Sequence, residues 1–233
     1  MIFLTTCIVQ RYMFLLIFTP MDFLDSKIED YVVNHTEKEN DLLHDLNRQT
    51  HINVLQPRML SGHLQGRVLS MLSKMIKPES ILEIGTYTGY SAICLAEGLT
   101  NEGKLITIDV NYELEDMVKK YIKKGGLDDK IDLKIGNALE IIPDLNQTFD
   151  IVFIDADKHN YINYYNLVFD KVNSGGYIIA DNVLWSGKVL EKYEKLDKDT
   201  QVIVDYNKMV LEDERVENVL FPVRDGLMIA RKK

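Results

Sequence analysis

The stretch Ile-Leu-Glu-Ile-Gly-Thr-Tyr-Thr-Gly-Tyr-Ser-Ala, residues 81–92, constrains this chain more than any other. Ile81 to Ile84 make a short apolar run, partly β-branched, that reads as a buried strand. The run from Gly85 to Gly89 breaks it. From Tyr90 to Leu99 the apolar positions Ala92, Leu95, Ala96 and Leu99 return at helical spacing. A strand that ends in a glycine loop and opens a helix lets bare backbone approach a ligand, with free N–H groups facing it. An ordinary strand–turn–helix without a ligand has the same local pattern.

The glycine spacing narrows the choice. A dinucleotide fingerprint needs G-x-G-x-x-G to seat a pyrophosphate, whereas Gly85 and Gly89 have three residues between them. Glu83 also stands inside the strand end, where a pyrophosphate would meet a carboxylate. An acid there suits a ligand carrying an ammonium group, such as the methionine part of S-adenosylmethionine. A nicotinamide-dependent oxidoreductase, which uses the same kind of sheet, is disfavoured on both counts.

Around this stretch the chain alternates strands and helices, the pattern of a doubly wound sheet. Residues 22–50 have the charge and spacing of two added surface helices, with Phe23, Ile28, Tyr31 and Val32 in the first and Leu42, Leu43 and Leu46 in the second. A helix over 60–78 follows, with Ser61 as its expected N-cap and Pro78 beyond its end. Strands are expected at 104–110, 130–136, 149–154 and 175–187, helices at 113–124, 160–172 and 198–212. Two last strands, 216–223 and 226–232, meet at Arg224-Asp225 as a hairpin, which makes one of them antiparallel.

Several polar residues fall at strand ends, where open parallel sheets bind ligands. Asp109 ends the second strand and is placed to accept both ribose hydroxyls of a nucleoside, unless it is a loop acid or a helix cap. Asn137 and Ala138 stand at the tip of the third, where an adenine ring could be held. Asp155, Asp157, Asp181 and Asn182 end the fourth and fifth. Two carboxylates and an amide oxygen are hard ligands, suited to Mg²⁺, Mn²⁺ or Ca²⁺ rather than zinc. The alternative is that Asp157 and Asp181 cap helices and no metal binds. Lys158 is the one lysine whose neighbours distinguish it. Beside a divalent cation its charged form is disfavoured, which makes it a usable base. His159 reads as a helix-start residue.

Composition excludes more than it proposes. At 233 residues and 46 % hydrophobic, the chain can bury one good core. A net charge of −9 offers no electrostatic footprint for nucleic acid or an anionic membrane. Cys7 and Cys94 form neither a pair pattern nor a metal spacing, which fits a reducing cytoplasm. The apolar opening, residues 1–20, is cut by Gln10 and Arg11 into pieces too short to span a bilayer. We expect Met21 to be the natural start, with 1–20 a non-native or disordered extension and 21–233 a single domain.

The motifs LEIGTYTGYSA, TIDV, FIDADKHNY and ADNVLWSG, with RDGLMIARK at the end, stand in the order and spacing of a known family. The chain resembles the cation-dependent O-methyltransferases, the group containing caffeoyl-CoA and catechol O-methyltransferases, over roughly residues 50–232. The resemblance implies a Rossmann-like methyltransferase fold: a seven-stranded, mostly parallel sheet with one antiparallel strand, and extra N-terminal helices. It implies methyl transfer from S-adenosylmethionine to a vicinal-diol aromatic small molecule, with a divalent cation, and a homodimer. By the same resemblance Glu83, Gly85 and Ser91 would line the methionine end of the cofactor, Asp109 its ribose and Ala138 its adenine. Tyr87 and Asp157 would also contact it. Asp155, Asp181 and Asn182 would hold the metal, Lys158 would be the base, with Asp155 beside it in the catalytic group, and Trp185 would wall the acceptor pocket. Some bacterial relatives act instead on hydroxyuridine in tRNA, a reading the net acidity opposes. The chain departs from the plant pattern at residues 59–66, where Leu60 offers no hydroxyl and the acidic pair is absent.

Overall fold

The computed structural model describes residues 25–233. The expected extension at 1–20, and Phe23 of the first expected helix, lie outside the described residues. Seven strands form one sheet: β1 (Ser80–Ile84), β2 (Lys104–Asp109), β3 (Ile131–Ile135), β4 (Phe149–Ile154), β5 (Val172–Asp181), β6 (Val216–Phe221) and β7 (Leu227–Lys232). Their spatial order is β3-β2-β1-β4-β5-β7-β6. The strands β1 to β5 pair in parallel, and β7 runs antiparallel to both neighbours. This is the doubly wound sheet and the terminal hairpin expected from the sequence.

Among the described residues eight α-helices accompany it: α1 (Ser26–Asn34), α2 (Asp41–Asn53), α3 (Gly62–Ile76), α4 (Tyr90–Ala96), α5 (Glu115–Lys124), α6 (Ala138–Asp144), α7 (Tyr161–Phe169) and α8 (Lys198–Glu212). Alternation along each strand sends successive side chains to opposite faces. Leu82, Ile84, Val152, Ile154, Ile178 and Ala180 bury against α6, α7 and α8. Ile81, Leu105, Ile151, Phe153 and Ile179 bury on the other face against α2, α3, α4 and α5. Both faces are covered, so the strands read as continuous apolar runs.

The helix α3 is locked onto α4. A Cβ on Gly66 would lie 2.5 Å from the Tyr90 ring, so only glycine permits this approach. Arg67 Nη2, Lys74 Nζ and Ser70 Oγ all donate to the Glu97 carboxylate, at 2.7, 2.8 and 2.7 Å. Burial pushes that carboxyl up, but these donors outweigh it and hold it at about 2. The lock holds α3 against α4, and Gln65 on the first turn of α3 reaches Asp181 at the carboxyl end of β5.

Some elements differ from expectation. Ser61 holds the N-cap position of α3 as expected, but its backbone angles are helical and its side chain makes no capping hydrogen bond. The strand β5 begins at Val172, before the glycine pair, because the register shifts between Phe149 and Ile151 and absorbs it. It stops at Asp181, since Asn182 turns left-handed at φ 57°. Residues 182–187 are therefore a strained turn, not strand. The helix α6 was not anticipated; seven residues with Pro143 inside carry little periodicity. Helices α4 and α7 end sooner than expected, at Ala96 and Phe169, and a 3₁₀ turn over Tyr112–Leu114 precedes α5.

Candidate active site

The chain leaves β1 for β2 on one side and returns to β4 on the other, so the crevice of the sheet opens between β1 and β4. Gly85 stands at that point with φ +101°. A Cβ there would lie 1.9 Å from the carbonyl oxygen of Asp155, the residue that follows β4. The two strand tips touch through backbone alone.

Glu83 lies fully buried one turn below, on the α4 face of the sheet. Its Oε2 accepts from Thr107 Oγ1 at 2.5 Å, and Thr107 Oγ1 in turn meets Thr86 Oγ1. Its Oε1 has no hydrogen-bond partner although it is buried. Burial raises the carboxyl to about 8; the hydroxyls of nearby Ser91 and of Thr107 oppose the rise, and the charges of Asp155 and Asp109 add to it. An orphaned acceptor beside a glycine loop fits a cationic donor group.

Asp109, at the tip of β2, accepts from the backbone N–H of Tyr87 at 2.7 Å and of Asn111 at 2.8 Å. It thus holds the glycine loop in place, with Tyr87 itself at φ 50°. Ala138 opens α6 and is buried, while Asn137 caps that helix through Leu139 N. Asp157 makes its contacts with α7 and the turn before it: Tyr164 Oη donates to it at 2.5 Å and Asn160 Nδ2 at 2.6 Å. It precedes a 3₁₀ turn, Lys158–Asn160, without capping it by its side chain.

Asp155, Lys158 and Asn182 form one hydrogen-bonded group. Lys158, only 8 % exposed, donates from Nζ to Asn182 Oδ1 at 2.8 Å, Asp155 Oδ1 at 3.3 Å and Tyr161 Oη at 2.5 Å. Its ammonium also lies 5.6 Å from the Trp185 ring centre. Asp181 is 2 % exposed and accepts from Gln65 Nε2 at 2.6 Å and from Asn182 N at 2.7 Å. Burial first, and then the charge of Asp155, raises its carboxyl to about 7; Lys158, Gln65 and Asn182 N pull the other way. Two carboxylates thus share a buried site, which favours added positive charge. Among the described residues no three His, Cys, Asp or Glu side chains gather as a metal cluster. The donors here are two carboxylates and an amide oxygen, whose chemistry fits a hard divalent cation.

Of the sequence-derived residues, Tyr87 meets Asp109, and Asp155 meets Lys158, which meets Asn182, beside Asp181, while Glu83 is held by Thr107 and Ser91 is buried on α4. Ala138 and Asp157 make their contacts elsewhere. Thr107, Tyr161 and Gln65 were not singled out. Tyr161 belongs to the FIDADKHNY motif, and its hydroxyl also donates to the Asp181 carbonyl at 2.9 Å. Gln65 carried no local signal.

Residues 33–233 match the family model described as O-methyltransferase. The chain belongs to this family. It is 38 % identical over 181 residues to the caffeoyl-CoA O-methyltransferase of Medicago sativa, covering 72 % of this chain and 72 % of that protein. With caffeoyl-CoA O-methyltransferase 2 of Eucalyptus globulus the identity is 39 %, at the same coverage of both. Among solved structures, the SAH-bound methyltransferase of Podospora anserina superposes with a TM-score of 0.82 at 26 % identity, covering 89 % of this chain and 94 % of that one. The SAH-bound O-methyltransferase of Bacillus cereus gives 0.81 at 27 % identity, covering 89 % and 97 %. The family recognised from the motifs is the family found, and this O-methyltransferase is an enzyme of that class. No helix among the described residues is long and apolar enough to cross a membrane.

Proposed function

We propose that this O-methyltransferase uses S-adenosylmethionine and a divalent cation, Mg²⁺ in the first place, to methylate a small aromatic molecule with two adjacent hydroxyls. The observation that carries the reading is one juxtaposition. The partnerless Oε1 of Glu83 stands at a glycine loop, and the first residue of that loop abuts the backbone of Asp155, a member of the oxygen group. The relatives support it too, since the Podospora and Bacillus proteins are described with SAH bound.

In this reading Glu83 pairs with the ammonium of the methionine moiety and Ser91 steadies the carboxylate. Gly85 and Tyr87 lend backbone, Asp109 takes the ribose hydroxyls, and Ala138 and Asp157 complete the cofactor contacts. S-adenosylmethionine supplies the electrophilic methyl group. Asp155, Asp181 and Asn182 would hold a divalent cation, whose contribution is to lower the pKa of a chelated phenol from its usual ~10. In its neutral form Lys158 takes the phenolic proton at Nζ, Asp155 accepts a hydrogen bond from the ammonium so formed, and Trp185 walls the acceptor. What the chain itself adds is alignment, which in well-oriented reactions recovers on the order of 7–11 kcal/mol.

The direct test is methyl transfer from labelled S-adenosylmethionine to a catechol panel, with Mg²⁺ and with EDTA. Transfer with Mg²⁺ and none with EDTA is the expected result; equal rates in both would remove the cation from the proposal.

A proton linkage follows from Glu83. Its folded value of about 8 lies above the ordinary one, so the free protein holds this proton at neutral pH. The stability this gives is present at low pH and is lost as pH rises toward 8. Pairing with an ammonium requires the carboxylate, so binding expels the proton. Calorimetry of S-adenosylhomocysteine binding at pH 6.5, in buffers of different ionisation heat, should show release of about one proton. Affinity should climb with pH up to about 8. A heat independent of the buffer would count against the Glu83 assignment.

A further inference from the structure

We propose that Arg224 and Gln65 are positioning residues: a two-link relay from the β6–β7 turn fixes the Asp181 carboxylate in the direction in which it serves a divalent cation. The inference rests on the cation reading above and assigns work to two residues outside the proposed ligand set.

Gln65 is buried on the first turn of α3, and both ends of its amide are used. Nε2 donates to Asp181 Oδ2 at 2.6 Å, and Oε1 accepts from Arg224 Nη1 at 3.3 Å. A guanidinium can only donate, and Asp181 in the ionised form that serves a cation can only accept. Arg224 therefore decides which way round the amide sits. Without it, the amide could turn its oxygen toward Asp181 and set acceptor against acceptor.

The far side of Asp181 is pinned as well, because Oδ1 accepts from Asn182 N at 2.7 Å. One oxygen is thus held by the adjoining backbone and the other by a helix from the opposite end of the chain. The same Arg224 Nη1 donates to the carbonyls of Leu60 and Ser61, so it fixes the start of α3 as well as the amide. Its backbone stands at φ 49°, a region L-residues avoid, directly before Asp225 and Gly226. Those two residues hold the loop on the other side of the site. Asp225 Oδ1 accepts from Ser186 N at 2.5 Å, and the carbonyls of Asp225 and Gly226 accept from Leu184 N and Val183 N at 2.9 and 3.2 Å. One three-residue turn clamps both the helix over Asp181 and the loop leading from Asn182 to Trp185.

The test is a Mn²⁺ titration followed by electron paramagnetic resonance, paired with calorimetry of S-adenosylhomocysteine. Gln65→Leu keeps the side-chain bulk and removes both hydrogen bonds. It should weaken Mn²⁺ binding by about ten- to a hundredfold, the range for outer partners of metal ligands, with S-adenosylhomocysteine affinity unchanged. Arg224→Met should weaken Mn²⁺ binding in the same sense and Arg224→Lys less, since lysine still donates. The double variant Gln65→Leu/Arg224→Met should be no worse than Gln65→Leu alone, because both act through one hydrogen bond to Asp181. If Gln65→Leu loses S-adenosylhomocysteine binding, the Arg224 pair decides on its own. Wild-type Mn²⁺ affinity in Arg224→Met, or additive losses in the double variant, would overturn the relay. A wild-type protein that binds S-adenosylhomocysteine but no Mn²⁺ would overturn the cation reading, and the relay with it.

Discussion

Gly85→Ala is expected to abolish S-adenosylhomocysteine binding and to lower the melting temperature sharply. The added Cβ would sit 1.9 Å from the Asp155 carbonyl oxygen, and backbone on both sides leaves nothing flexible to move aside. The residue also stands at φ +101°, where an L side chain is strained. Steric overpacking and backbone strain cost about 1–3 kcal/mol each, so the sum is about 2–6 kcal/mol. In a domain of this size that is a fall on the order of 5–20 °C. Relief requires β1 and β4 to separate at their tips, which displaces Glu83 and Asp155 together. Thermal unfolding and calorimetry on the purified variant check both effects. Wild-type values in both would mean that the close approach of the two strand tips has no bearing on the site.

Lys158→Met should lower the rate of methyl transfer by about 10²–10⁴, the range that a positioned proton acceptor contributes. Methionine keeps the unbranched bulk beside Tyr161 and Trp185 while removing the nitrogen that donates to Asp155, Asn182 and Tyr161. S-adenosylhomocysteine affinity should stay close to wild type, because Lys158 makes no hydrogen bond to Glu83, Ser91 or Asp109. Turnover is measured at saturating Mg²⁺ so that a changed charge balance is not mistaken for lost catalysis. Wild-type turnover would remove Lys158 as the base. A rate loss matched by an equal loss of cofactor affinity would point to a disrupted site.

The central motif was legible because its signals are local. Apolar runs, glycine breaks and helical spacing over twelve residues place β1, the loop and α4 without any distant contact. Strand ends were legible for the same reason, which is why Asp109, Asp155, Asp181 and Asn182 were all singled out. The residues that escaped act across the chain. Gln65 meets Asp181 over 116 positions, and Arg224 meets Ser61 over 163. No periodicity reports such a pairing. Ser61 stands at the N-cap position as expected, but residue type does not report whether the side chain caps, and its helical backbone angles leave it without that hydrogen bond. The glycine pair Gly175-Gly176 looked like the edge of a strand but is absorbed within one by a register shift. Left-handed backbone at Tyr87, Asn182, Trp185 and Ser186 was equally hidden, since tertiary contacts impose it against local preference.

The place of β7 in the sheet has a consequence for the order of assembly. This strand lies between β5 and β6, yet it is synthesised after both. While a ribosome is still making residues 227–232, β5 has an open edge and β6 has no neighbour to join. The Arg224–Gly226 turn that clamps α3 and the Trp185 loop takes shape only when that strand threads into the gap. On the proposed reading the half of the crevice built on β1, β2 and β4 takes the cofactor, and it can order while the chain is still growing. The half proposed for the acceptor is finished afterwards, so a nascent chain would acquire the means to hold a methyl donor before it acquires the means to spend it.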